Sequence, residues 1–154
     1  MASLTAGGRT VPLLSAALAG ALMAVQGTLN AVLSKFIGLL ETSFLAQVLG
    51  GLAAAVLLYV LRLGSGSIGA LRNGVPWYTL LAGPIGLAII YLVAYGISKS
   101  GVAAATTAII IGQVSAAVLI DSCGLFGAEQ VPFCWTKALG IALLAGAGWI
   151  MLRR

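Results

Sequence analysis

Between Gly101 and Asp121 the chain reads Val-Ala-Ala-Ala-Thr-Thr-Ala-Ile-Ile-Ile-Gly-Gln-Val-Ser-Ala-Ala-Val-Leu-Ile, without a single charged side chain. A run of about 20 such residues is the length of one α-helix across the hydrocarbon core of a bilayer. Its small residues fall on every fourth position, Ala104, Ala108, Gly112 and Ala116, forming a ridge that another helix backbone can approach closely. On another face stand Thr106 and Gln113, two turns apart, with Asp121 two turns further at the membrane edge. An amide in hydrocarbon is costly unless something bonds to it. Gln113 either bonds this helix to a neighbour or lines a solute path.

The rest of the chain repeats that pattern. Hydrophobic residues make up 61% and charged residues 7%, too few charges for an ordinary soluble surface. We read an all-α integral membrane protein, one transmembrane domain over residues 1–154, with helices at about 11–34, 42–61, 75–98, 101–120 and 135–152. Met1–Thr10 is a short polar lead. Ala19–Ala24 has the look of a signal-peptide end, but the apolar pattern continues to Leu33, which favours an uncleaved helix. In that first helix Gln26, Asn30 and Ser34 share one face, with Met23 and Gly27 beside them. Two amides one turn apart either bond across helices or face a wet cavity.

Lys35–Glu41 is a tight connection to the second helix, which carries Ala46, Gly50 and Ala54 as a packing face and Ser43 and Gln47 on a neighbouring polar one. The Gly64–Gly69 loop has no Walker pattern and is not a phosphate cradle. Trp77 and Tyr78 mark the interfacial entry of the third helix. Pro84, next to Gly83 and Gly86 about two turns in, should kink or loosen the backbone there. Tyr91 and Tyr95 then sit one turn apart, as packing aromatics or as a cavity wall. Lys99-Ser-Gly101 leaves room only for a turn. Cys123 and Cys134 flank the next loop, as a disulfide or as two plain thiols. Trp135 and Lys137 anchor the fifth helix, where Ala138, Ala142 and Gly146 repeat the every-fourth pattern.

With His absent and only two Cys, zinc, haem and Cys/His catalysis have almost no ligands, so we expect no enzyme, no metal and no cofactor. The net charge of +5 is spread singly along the chain, which suits lipid headgroups and not nucleic acid. Five crossings put the termini on opposite sides. Arg9, Arg62, Arg72 and Lys137 then fall on one side, and Lys35, Lys99, Arg153 and Arg154 on the other. Orientation follows a Lys/Arg excess in short loops, and here there is none. An even division is what a chain inserting both ways would show. Two opposed copies would reproduce the inverted repeat of many transporters.

Gln26-Gly-Thr-Leu-Asn30, Leu81-Ala-Gly-Pro-Ile-Gly86 and, above all, Gly101-Val-Ala-Ala-Ala-Thr-Thr-Ala through Gln113 to Asp121 resemble the YdcZ-like family. These are half-size, five-helix bacterial members of the drug/metabolite transporter superfamily. The resemblance spans nearly the whole chain and implies a five-helix inner-membrane subunit that pairs antiparallel, like the halves of ten-helix relatives. The four-helix small multidrug exporters carry a glutamate in their first helix for proton exchange; here that helix offers only Gln26 and Asn30. The resulting expectation is a small-molecule transporter working by alternating access as an antiparallel homodimer. Gln26, Asn30, Tyr91, Tyr95, Thr106 and Gln113 would line its cavity, and uncharged amides and hydroxyls suit a polar neutral or zwitterionic solute. Glu41 and Asp121 are the acids near helix ends on which proton coupling would depend. The alternatives are a small dual-topology ion channel, for which no filter is evident, and a subunit that needs an oppositely oriented paralogue.

Overall fold

A computed structural model describes residues 6–66, 68–69 and 75–153, with backbone alone for residues 6–9. Of the sequence features above, the polar lead as far as Thr5, Ser67 of the glycine loop, Arg72, Arg154 and the Arg9 side chain lie outside the described residues. What is described is all-helical. α1 spans Ala6–Ile37 and α2 Leu39–Ala55, the latter running on into a π-helical turn, Val56–Val60. A 3-10 turn at Trp77–Leu81 leads into α3, Ala82–Ser100; α4 covers Val102–Cys123 and α5 Trp135–Leu152. With those extensions, five helices are long and apolar enough to cross a membrane. Their outward side chains are large and apolar, with Leu14 70%, Leu92 63% and Leu143 66% exposed. In lipid such residues need no cover, and the helical backbone satisfies its own polar groups.

Two connections are shorter than the sequence suggests. The segment expected at Lys35–Glu41 shrinks to Gly38, and that at Lys99–Gly101 to Gly101. Both glycines take nearly the same conformation, φ 97° and ψ 161° at Gly38, φ 85° and ψ 164° at Gly101. A side chain disfavours this region, so glycine is what allows a one-residue elbow. The glycine's own backbone groups stay bonded to the helices on either side. Gly38 N–H donates to Ser34 O at 3.0 Å and Thr42 N–H to Gly38 O at 3.1 Å; Gly101 N–H donates to Ile97 O at 2.9 Å and Ala105 N–H to Gly101 O at 3.1 Å. Each elbow glycine thus has both its own N–H and its own carbonyl paired.

The described residues gather into two compact units, one of α1, α2 and α3 as far as Tyr95, the other of α3 from Gly96, α4 and α5. In the first, α2 packs on α1 around small residues. Gly27, Asn30 and Ala31 are buried on α1, and Thr42 and Ser43 are fully enclosed on α2. Their hydroxyls donate to the carbonyls one turn back, Gly38 at 2.7 Å and Leu39 at 2.8 Å, which removes the cost of enclosing them. In the second unit α5 packs on α4 at Gly148, where a Cβ would stand 2.5 Å from Ile111 Cδ1 and 3.2 Å from Thr107 Cγ2. The every-fourth ridges are not what meets here. Ala108, Gly112 and Ala116 on α4, and Ala142 and Gly146 on α5, are exposed, and a Cβ on Gly112 or Gly146 would touch nothing.

α3 enters as a 3-10 helix and becomes α-helical at Ala82, which puts Pro84 in the first turn of the α-helical part. There a missing N–H costs little.

Candidate functional site

On α1, Ser34 and Thr28 donate to carbonyls of their own helix, Ala31 at 2.9 Å and Ala24 at 2.8 Å. The amides of this helix behave differently. Asn30 is only 9% exposed, yet among the described residues neither it nor Gln26 has a hydrogen-bonding partner, and no buried side-chain nitrogen or oxygen is left unpaired. The Asn30 amide therefore reaches the molecular surface from an otherwise enclosed residue. On α3, Tyr91 is 36% and Tyr95 47% exposed. These four belong to the first unit.

Thr106 and Gln113 belong to the second, Thr106 half-buried and Gln113 exposed. Gln113 likewise has no hydrogen-bonding partner among the described residues. The neighbouring threonine, Thr107, is the structural one. Its hydroxyl donates to Ala103 O at 2.8 Å and lies 3.6 Å from Met151 Sδ on α5.

The two acids at helix ends are held differently. Glu41 sits in the first turn of α2 with its carboxylate folded back over Gly38, occupying the place that a Cβ there would need. Negative charge is favoured at that end of a helix. Asp121, at the end of α4, pairs with Lys137 of α5 at 3.7 Å, both partly exposed. The loop between them is pinned close by: Val131 N–H donates to Asp121 O at 2.9 Å and Gln130 Nε2 to Ser122 O at 3.0 Å. Cys123 and Cys134 are free and exposed. The Thr136 hydroxyl donates to Cys134 Sγ at 3.1 Å. That bond, then the Thr136 backbone, hold the thiol below its usual range against a small opposing effect of burial, with Lys137 adding to the lowering. No group of three His, Cys, Asp or Glu that could hold a metal occurs among the described residues.

The amide that does join two helices is one the sequence reading left on a secondary face. Gln47 Nε2 donates to Gly83 O on α3 at 3.4 Å, beside an open groove of about 360 Å³ lined by Phe44, Val48, Pro84 and Leu87. Its sequence signal was a glutamine in mid-span facing a Gly-Pro-x-Gly segment; pairing the two needed the packing of α2 beside α3.

Five bilayer-length helices, with amides and hydroxyls inside the spans and charged side chains near their ends, are the build of a polytopic membrane protein. The chain belongs to the YdcZ family: the family profile described as "Putative inner membrane exporter, YdcZ" matches residues 11–150. It is accordingly a multi-pass inner membrane protein, and its family is one of transporters rather than enzymes. No curated protein and no solved structure matches the chain.

Proposed function

We propose that the protein exports a small polar neutral or zwitterionic solute by alternating access, as an antiparallel homodimer of chains inserted in both orientations. Each chain acts as one transmembrane domain. Gln26, Asn30, Tyr91, Tyr95, Thr106 and Gln113 line the solute cavity, and export is the direction carried by the family's description. The observation that carries this reading is the state of the amides. Among the described residues Gln26, Asn30 and Gln113 have no hydrogen-bonding partner, whereas hydroxyls on the same helices are paired with their own backbone. An amide placed in a membrane helix needs a partner. A solute, or the water of a vestibule, supplies it. Asp121 and Glu41 remain the acids through which protons could couple to transport; Asp121 would have to exchange Lys137 for a proton on each cycle.

The deciding experiment reconstitutes the purified protein in liposomes and screens neutral and zwitterionic metabolites by thermal shift and on solid-supported membranes. Flux that saturates with one solute supports the transporter. Ohmic current without saturation would indicate a channel, and activity appearing only with a second, related chain would indicate a heteromeric subunit.

A further inference from the structure

The point at which α2 touches α3 is built from four residues, and each contributes something different. Gly83 leaves its carbonyl uncovered by a side chain. Pro84 has no N–H to give the Leu80 carbonyl one turn back, and it follows closely on the change from 3-10 to α-helix at Ala82. Gly86 provides the seat: a Cβ there would lie 3.3 Å from Gln47 Nε2, tighter than most real contacts. Gln47 is exposed, so packing does not hold its amide in place, and its bond to Gly83 O is long at 3.4 Å. An amide can make up to four hydrogen bonds, and this one makes a single weak one.

We propose that the Gln47–Gly83 bond is a reversible latch, docked in one state of the transport cycle and released in the other, which sets how α3 leans on α2 at its 3-10/α junction. The inference rests on the alternating-access reading. In an inverted dimer of identical chains the two copies must adopt different conformations at any moment, so each chain needs an element with two settings. A bond of this kind shifts an equilibrium by only about threefold, weak enough to break and re-form in each cycle. Gln47 is thus a positioning residue that acts through α3.

The test uses full-length protein in nanodiscs of phosphatidylethanolamine and phosphatidylglycerol. Hydrogen–deuterium exchange is followed over residues 82–90 in Gln47→Leu, Gly86→Ala and a control, Gly51→Ala, where an added Cβ meets nothing. Gly86→Ala keeps the glutamine but crowds its amide, which must shift by a few tenths of an ångström from a bond that is already long, so it holds the test open if Gln47→Leu folds poorly. In parallel, Asn30→Cys in a Cys123→Ser/Cys134→Ser background reports cavity opening through its labelling rate with a sulfonated methanethiosulfonate. The latch predicts that Gln47→Leu and Gly86→Ala each speed exchange about threefold and change the labelling rate by a similar factor, with melting unchanged and Gly51→Ala inert. Unchanged exchange overturns it. So does faster exchange with lowered melting and unaltered labelling, the pattern of a merely structural bond. If Asn30→Cys labels in no background, the cavity reading fails instead, and exchange alone then decides the latch: faster supports it, unchanged overturns it.

Discussion

At the scale of the residue, the polar side chains inside the spans sort by where their hydrogen bonds go. Thr28, Ser34, Thr42, Ser43 and Thr107 return theirs to backbone carbonyls one turn back, which pairs them without help from another helix. Among the described residues Asn30 and Gln113 do not, and a measurement can separate a cavity from glue. A lost interhelical bond in a membrane protein averages about 0.6 kcal/mol. A solute group left unpaired costs about 1–3 kcal/mol, roughly ten- to a hundredfold in affinity. Asn30→Leu and Gln113→Leu should therefore assemble normally and lose most solute binding, read by thermal shift with the identified solute. Collapsed assembly with intact binding in the survivors would make both amides structural. Cys134 offers a second test at this scale. Because its pKa is lowered by Thr136, its thiolate forms at lower pH than an ordinary thiol's. Alkylation of Cys134 by iodoacetamide should rise with pH along a curve displaced to lower pH, and Thr136→Val should return that curve upward. An unmoved curve in Thr136→Val would show that the hydroxyl does not tune the sulfur.

At the scale of the element, glycines with the same sequence signature do different work. Gly148 lies in the α4–α5 contact, whereas Gly112 and Gly146 face outward with nothing near them. Overpacking a filled contact costs about 1–3 kcal/mol. Gly148→Leu should therefore lower the melting temperature of the chain itself. Gly112→Leu and Gly146→Leu should leave intrachain packing intact and, if the exposed ridges meet a second copy, shift gel filtration in mild detergent from dimer to monomer. Dimers that survive both outward substitutions would assign those ridges to lipid. The spacing on α4 showed that a close approach was available, but periodicity cannot say whether the approaching helix comes from the same chain. The elbows were half legible in the same way. Short connections at Lys35–Glu41 and Lys99–Gly101 followed from helix lengths, whereas their reduction to one glycine each depends on backbone torsion.

At the scale of the whole molecule, the even division of Lys and Arg is the property with the widest consequence. If it leaves insertion undecided, C-terminal tags should appear on both faces of the membrane. Adding Ser65→Lys and Gly66→Lys should collect them on one face and impair transport, since only one orientation would remain to pair. Every tag on one face in the unaltered protein would end the dual-topology proposal. The sequence by itself determined the class of molecule and the number of helices, because in a bilayer each helix satisfies its backbone internally and must show an apolar run of sufficient length. It also placed amides in the spans, since a polar residue in such a run stands out one position at a time. Only the tertiary structure decided which of them bond within the chain. That separates Gln47, docked on the Gly83 carbonyl, from Asn30 and Gln113. A hydrogen bond between helices depends on the rotation and approach of two backbones, and no single helix's sequence encodes that distance.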